Sequence, residues 1–124
     1  MNDCVFCKIV RQEVPSYTVY EDDSFLVFLD INPQSPGHLQ VIPKKHTRWV
    51  WDVENIEEYF AVVKKMAKAL QNVFGTEAIW SQVMGDEVSH AHVWVYPNPH
   101  EATGKTQAFT ENAKLVREAL TARS

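Results

Sequence analysis

The sequence predicts an α+β fold, a mainly antiparallel five-stranded sheet with one long helix and a C-terminal helix, and three observations lead there. Short segments rich in β-branched and aromatic residues lie on both sides of a single long stretch with helical periodicity. The turns between strand segments are short, which favours antiparallel pairing. A chain of 124 residues has room for one hydrophobic core, so one domain over residues 1–124 is expected.

The elements follow in order. Cys4-Val5-Phe6-Cys7 forms a turn, and Lys8 to Glu13 is at most a short helical stretch that Pro15 stops. Thr18-Val19-Tyr20 and Ser24 to Leu29 read as two strands of a hairpin around the acidic turn Glu21-Asp22-Asp23. Asp30 to Gly37 is a loop by its prolines and glycine, and His38 to Ile42 is the third strand. From Val53 to Phe74 the positions Ile56, Tyr59, Phe60, Val63, Met66, Ala67, Leu70, Val73 and Phe74 recur at three- and four-residue steps. That spacing makes one buried helical face, with Asp52 able to cap its start and Gly75 its end. Ala78 to Val83 is the fourth strand, Ser89 to Tyr96 the fifth, and Thr110 to Ala122 the closing helix.

Composition narrows the function classes. With 45% apolar and 23% charged residues the chain has the balance of a folded globular protein. Its formal charge is −4 and its basic residues are scattered, so it carries no footprint for a polyphosphate backbone and nucleic acid is not expected as a partner. No apolar run reaches the roughly 18 residues of a membrane helix, and the first residues lack the basic-then-apolar layout of a secretion signal. A cytoplasmic protein is expected. In a reducing compartment Cys4 and Cys7 suit a metal ligand pair better than a redox motif, which would follow a strand and open a helix.

The densest chemical signal is Ser89-His90-Ala91-His92-Val93-Trp94-Val95-Tyr96-Pro97. In a strand, residues two apart share a face, so His90, His92 and Trp94 line up. Packing alone could place them there. Their company argues otherwise. Phe28-Leu29-Asp30-Ile31-Asn32-Pro33-Gln34-Ser35-Pro36-Gly37-His38, then Val41-Ile42-Pro43-Lys44-Lys45-His46, then the long helix, then Val88-Ser89-His90-Ala91-His92, resembles the histidine triad (HIT) family. Cys4 to Val10 is similar to the opening of its zinc-bearing bacterial members. The resemblance covers roughly residues 3 to 97 and implies a HIT-like fold that binds a purine nucleotide or nucleotide conjugate, usually as a homodimer.

By position, the resemblance makes His92 the nucleophile that attacks the α-phosphorus, with a backbone carbonyl near His90 holding its other ring nitrogen. It makes Asp30 the acceptor for the ribose hydroxyls, although a turn-capping aspartate reads equally well from the residues alone. Phe28 and Ile31 would flank the base, and the backbone around Gly85, Glu87 and Val88 would meet the phosphate. Cys4, Cys7, His46 and His90 would complete a Cys₂His₂ set for a structural zinc.

Two positions depart from the family pattern. Trp94 stands at the third histidine position, and indole neither accepts a hydrogen bond nor titrates near neutrality. Gly85-Asp86-Glu87-Val88 puts carboxylates where relatives carry neutral donors, which repels phosphate unless the side chains turn outward. Three functions therefore stand: a nucleotide hydrolase or transferase working through nucleotidyl-His92, a nucleotide-binding regulator with little turnover, and a zinc-dependent structural module without a nucleotide site.

Overall fold

The computed structural model describes residues 4–122. In chain order it holds α1 (Val5–Val10), β1 (Thr18–Glu21), β2 (Phe25–Leu29), β3 (Leu39–Pro43), a 3₁₀ turn (Val50–Asp52), α2 (Ile56–Val73), β4 (Ile79–Gln82), β5 (Val93–Pro97) and α3 (Phe109–Ala122). The strands form one antiparallel sheet in the order β1-β2-β3-β5-β4. The expected α+β class and the five strands are present.

The register sorts side chains onto two faces. Val27 pairs with Val41 and Val41 with Val93, while Leu29 pairs with Leu39 and Leu39 with Val95. These rows face α2 and α3 and make the main core with Tyr59, Met66, Leu70, Ala113 and Val116. Stripping apolar surface from water at about 25 cal/mol per Å² is what holds the helices there. α2 buries Tyr59, Val62, Val63, Met66, Ala69 and Leu70 along one side, as its spacing requires. Tyr59 stacks on Phe25 with centroids 5.1 Å apart and donates its hydroxyl to Val41 O at 2.8 Å, fixing helix to sheet.

On the opposite face Phe28 pairs with Gln40 and Gln40 with Trp94. There α1 lays Phe6 against Leu26, Phe28 and Ile42 in a second, smaller cluster. Both faces of β2 and β3 are therefore covered and every residue of the two strands is buried, which is why Phe25 to Leu29 reads as an unbroken apolar run rather than an alternation. The loop into β3 turns at Gly37, where φ is +80° and an added Cβ would lie 2.3 Å from the Phe74 ring.

Three elements start three or more residues from the expected position, each for a local reason. α1 starts earlier, at Val5, because Cys4 caps it by accepting from Cys7 N–H. Asp52 does not cap α2. It ends the 3₁₀ turn, and Asn55 takes the cap position without a side-chain bond to the helix backbone. β5 starts at Val93 rather than Ser89, because Ala91 N–H bonds Thr47 O at 2.7 Å instead of a ladder partner. At the other end of α2, Phe74 is the cap and Gly75 follows at φ +74°, in keeping with the expected glycine stop.

Tyr59→Phe should keep the stack on Phe25 and lose only the buried bond to Val41 O. A stability loss of about 1 kcal/mol is expected, seen in urea unfolding as a lower midpoint with an unchanged slope.

Candidate functional site

The open part of the α1-side face is a cleft of about 480 Å³, within the range of small-ligand pockets. Phe28, Asp30, Gln40 and Trp94 form much of its wall from the sheet, Phe6 and Ile9 from α1, and Glu87 and Val88 from the loop before β5. Ile31 lies at its mouth, 67% exposed. Two other surface hollows, of about 570 and 370 Å³, carry no comparable row of sheet residues.

His92 sits beneath this region, buried, with Phe6 edge-on at 5.4 Å. Its Nδ1 lies 2.7 Å from His90 O. A carbonyl can only accept, so Nδ1 donates, and in the neutral tautomer this selects it is Nε2 that holds the lone pair. The geometry thus ties one ring nitrogen to the main chain and leaves the other as the nitrogen able to act as nucleophile or acceptor.

Asp30 follows the last residue of β2. Its N–H donates to His38 O, extending the ladder by one rung. Oδ1 accepts from Asn32 N–H at 2.8 Å and Oδ2 from the Gln40 amide at 3.1 Å. Burial pushes the Asp30 carboxyl above its ordinary value; the Asn32 and Gln40 bonds oppose that rise, Glu87 adds to it and His92 lowers it. Glu87 is exposed, yet it faces the same cleft. The Glu87 carboxylate thus acts on Asp30 from the cleft side.

His38 is a fully buried imidazole against Trp94 and Tyr96, with ring centroids 4.8 Å from each. Gln34 N–H donates to its Nδ1, so its proton is on Nε2, 3.6 Å from Asp30 Oδ2. Burial lowers its pKa to about 4, so the contact is a neutral ring beside a carboxylate and not an ion pair. Sequence reasoning also missed Gln40. The signal was the two-residue period of β3, which sets His38 and Gln40 on the face that carries Trp94.

A second cluster forms around the first turn of α1. The ligand atoms of Cys4, Cys7, His46 and His90 all fall within 4.8 Å of one another. Cys4 Sγ and Cys7 Sγ are each 3.4 Å from His90 Nδ1, and Cys7 Sγ is 3.1 Å from His46 Nδ1. Tetrahedral zinc with ordinary bond lengths would separate sulfur and nitrogen ligands by about 3.6 Å. His90 Nε2 lies 2.8 Å from Pro43 O, which places its proton there and turns the Nδ1 lone pair toward the thiols. Burial lowers the His90 pKa, keeping the ring neutral as a ligand must be. These residues fit a four-ligand metal.

Gly85 stands apart from the cleft wall. Its carbonyl takes Arg48 Nη1 at 2.7 Å, and a Cβ there would meet the Trp49 ring at 2.9 Å. The Arg48 guanidinium lies 3.7 Å over the Trp49 ring. Trp49 is 38% and Trp51 68% exposed, so neither belongs to the core.

A carbonyl-tethered histidine beside an acid-bearing cleft on the open face of one antiparallel sheet places the chain in a class of small α+β proteins. The chain belongs within it to the HIT domain family, whose model matches residues 11–101. It is 43% identical over 106 residues to an uncharacterized HIT-like protein of Borreliella burgdorferi, covering 78% of this chain and 76% of that one. It is 32% identical over 104 residues to the adenosine 5′-monophosphoramidase HNT1 of Saccharomyces cerevisiae, covering 82% and 66%. Among solved structures, a zinc-bound histidine triad family protein from Mycobacterium smegmatis superposes with a TM-score of 0.82 at 31% identity, covering 96% and 94%.

The raised Asp30 pKa has a stability consequence. The folded chain binds that proton more tightly than the unfolded chain, so the ionised carboxylate costs stability above its folded pKa and none below its unfolded one. Asp30→Asn should therefore melt higher than the parent at neutral pH. The gap should close as the pH is lowered through the Asp30 titration, in melts followed by circular dichroism.

Proposed function

We propose that the chain, acting as one domain, binds a purine nucleoside monophosphate group and transfers it through a covalent nucleotidyl-His92, as a hydrolase of phosphoramidate or dinucleoside polyphosphate type. The observation that carries this reading is the His92 Nδ1 contact to His90 O. It leaves Nε2 as the only ring nitrogen able to attack.

In the reaction, the Nε2 lone pair forms a bond to phosphorus and the bond from phosphorus to the leaving group breaks. The ring then carries positive charge, which the His90 carbonyl at its Nδ1–H stabilises. The leaving group takes a proton, water attacks the phosphorus, and the monophosphate departs with the imidazole restored. Asp30 accepts from the ribose, Phe28 and Ile31 flank the base, and the backbone N–H groups of Glu87 and Val88 meet the phosphate, whereas Gly85, which the sequence had grouped with them, is taken up by Arg48 and Trp49 away from the cleft wall. His90 contributes its carbonyl to His92 and its ring to the metal.

Trp94 occupies the position of the third histidine. With no titratable group there, the leaving group must find its proton elsewhere, and up to about 10²–10⁴ in rate is absent for basic leaving groups. The same indole favours a second reading, a nucleotide-binding regulator with little turnover.

Cys4, Cys7, His46 and His90 are proposed to hold a structural zinc. With four protein ligands it has no open position for water, and its part is to fasten α1 to the residues around His46 and His90. In the cytoplasm, with no nucleic acid or membrane partner, the chain would work as a homodimer in which α2 and strands meet across a two-fold axis. No helix among the described residues is long and apolar enough to cross a membrane.

His92→Asn should abolish a mass gain of one nucleotidyl group after a brief quench with an adenosine phosphoramidate; persistence of that adduct would end the mechanism. Trp94→His should raise turnover for substrates with basic leaving groups far more than for activated ones, in steady-state kinetics across a leaving-group series. A parent protein that binds the monophosphate but forms no adduct with any substrate would favour the regulator. For the metal, elemental analysis of untagged protein should give about one zinc per chain, and Cys4→Ser should lower the melting temperature.

A further inference from the structure

Among the described residues three buried polar side-chain atoms have no hydrogen-bond partner: His38 Nε2, Gln40 Oε1 and Trp94 Nε1. All three side chains surround one carboxylate. Gln40 and His38 both approach Asp30 Oδ2, and Trp94 packs on His38 and stands opposite Gln40 across β3 and β5. Buried polar atoms without partners are few in native folds, and each calls for a group that completes it. Three in one patch mark a place where something is bound.

The Gln40 amide cannot relieve its own oxygen. Asp30 Oδ2 takes the NH₂ branch at 3.1 Å, and turning the amide over would set its oxygen against a carboxylate. Oε1 therefore stays an acceptor in need of a donor. Trp94 presents the complement, since an indole N–H donates and accepts nothing. Both side chains line the cleft, whereas His38 lies behind them.

On a nucleoside, the small group that accepts and donates at a single atom is a hydroxyl. A cation offers nothing to an indole N–H, an ionised phosphate oxygen has no proton for Gln40, and an ammonium cannot accept from Trp94. We propose that Gln40 and Trp94 form a hydroxyl-reading subsite that takes a ribose hydroxyl, which accepts from Trp94 Nε1–H and donates to Gln40 Oε1. This rests on the nucleotide reading above and deepens it. Position 94, unfit for proton transfer, then serves in recognition of the sugar, and Gln40 does two tasks, holding Asp30 with one branch and reading the ligand with the other.

The chain has four tryptophans, so ¹⁵N-tryptophan labelling gives four indole signals, and Trp94→Phe identifies the one from Trp94. Titration with adenosine monophosphate should move the Trp94 N–H signal downfield. Saturation with 2′,3′-dideoxyadenosine monophosphate, confirmed by calorimetry, should leave it near its ligand-free position. Gln40→Met should reduce the calorimetric preference for the ribonucleotide over the dideoxy ligand by about tenfold. Equal movement of the Trp94 signal with both saturating ligands would overturn the subsite while leaving nucleotide binding intact. So would a Gln40→Met protein that keeps the full preference. Failure of both nucleotides to bind the parent protein in calorimetry would instead remove the nucleotide reading, and the subsite with it. The labelled parent protein answers the question even if Gln40→Met does not fold.

Discussion

Much of this molecule depends on one residue facing three ways. The ring of His90 reaches Cys4 and Cys7 through Nδ1 and Pro43 O through Nε2, while its carbonyl takes the Nδ1 of His92. The position of the cysteine cluster and the tautomer of the cleft histidine are thereby set by the same backbone unit. Had Ser89 to His92 continued the β5 ladder, the His90 carbonyl would compete for ladder donors. The bond from Ala91 N–H to Thr47 O takes the segment off the sheet and leaves that carbonyl to His92.

The two faces of the sheet divide the labour. The α2 and α3 face is closed by large apolar side chains in rows, and it carries most of the packing. The α1 face is covered only in part, by a six-residue helix, and the remainder is the cleft. Polar groups crowd there at a cost: a carboxyl raised by burial and a buried neutral imidazole whose N–H has no partner. Natural folds accept such local conflict at binding sites and offset it with core packing elsewhere.

The fold was legible because its signals are periodic. β-rich runs and the three-and-four spacing of α2 survive any tertiary context that keeps one face buried, and only ends moved. The errors at Asp52 and Ser89 share a cause, since both are backbone bonding choices that the side-chain pattern does not encode. At the site, Asp30, His92 and the Cys/His set take their meaning from the family resemblance of the stretches that carry them. Gln40 and His38 do not. Gln40 gains meaning only from the register that sets it between Phe28 and Trp94, and His38 only from burial under two aromatic rings.

The separation of Cys4 from His90, 86 residues along the chain, has a consequence for how the protein is made. α1 is synthesised first but is far too short to hold its shape alone. Its apolar seat on Leu26, Phe28 and Ile42 follows within the next forty or so residues, yet its cysteines have no imidazole from position 90 until both α2 and β4 have been made. β5, which must slot between β3 and β4, arrives just after that histidine. On the ribosome, then, closure of the sheet and closure of the cysteine cluster wait for the same stretch of chain, and a nascent protein halted short of it would expose the central edge of β3 and two unassembled thiols together.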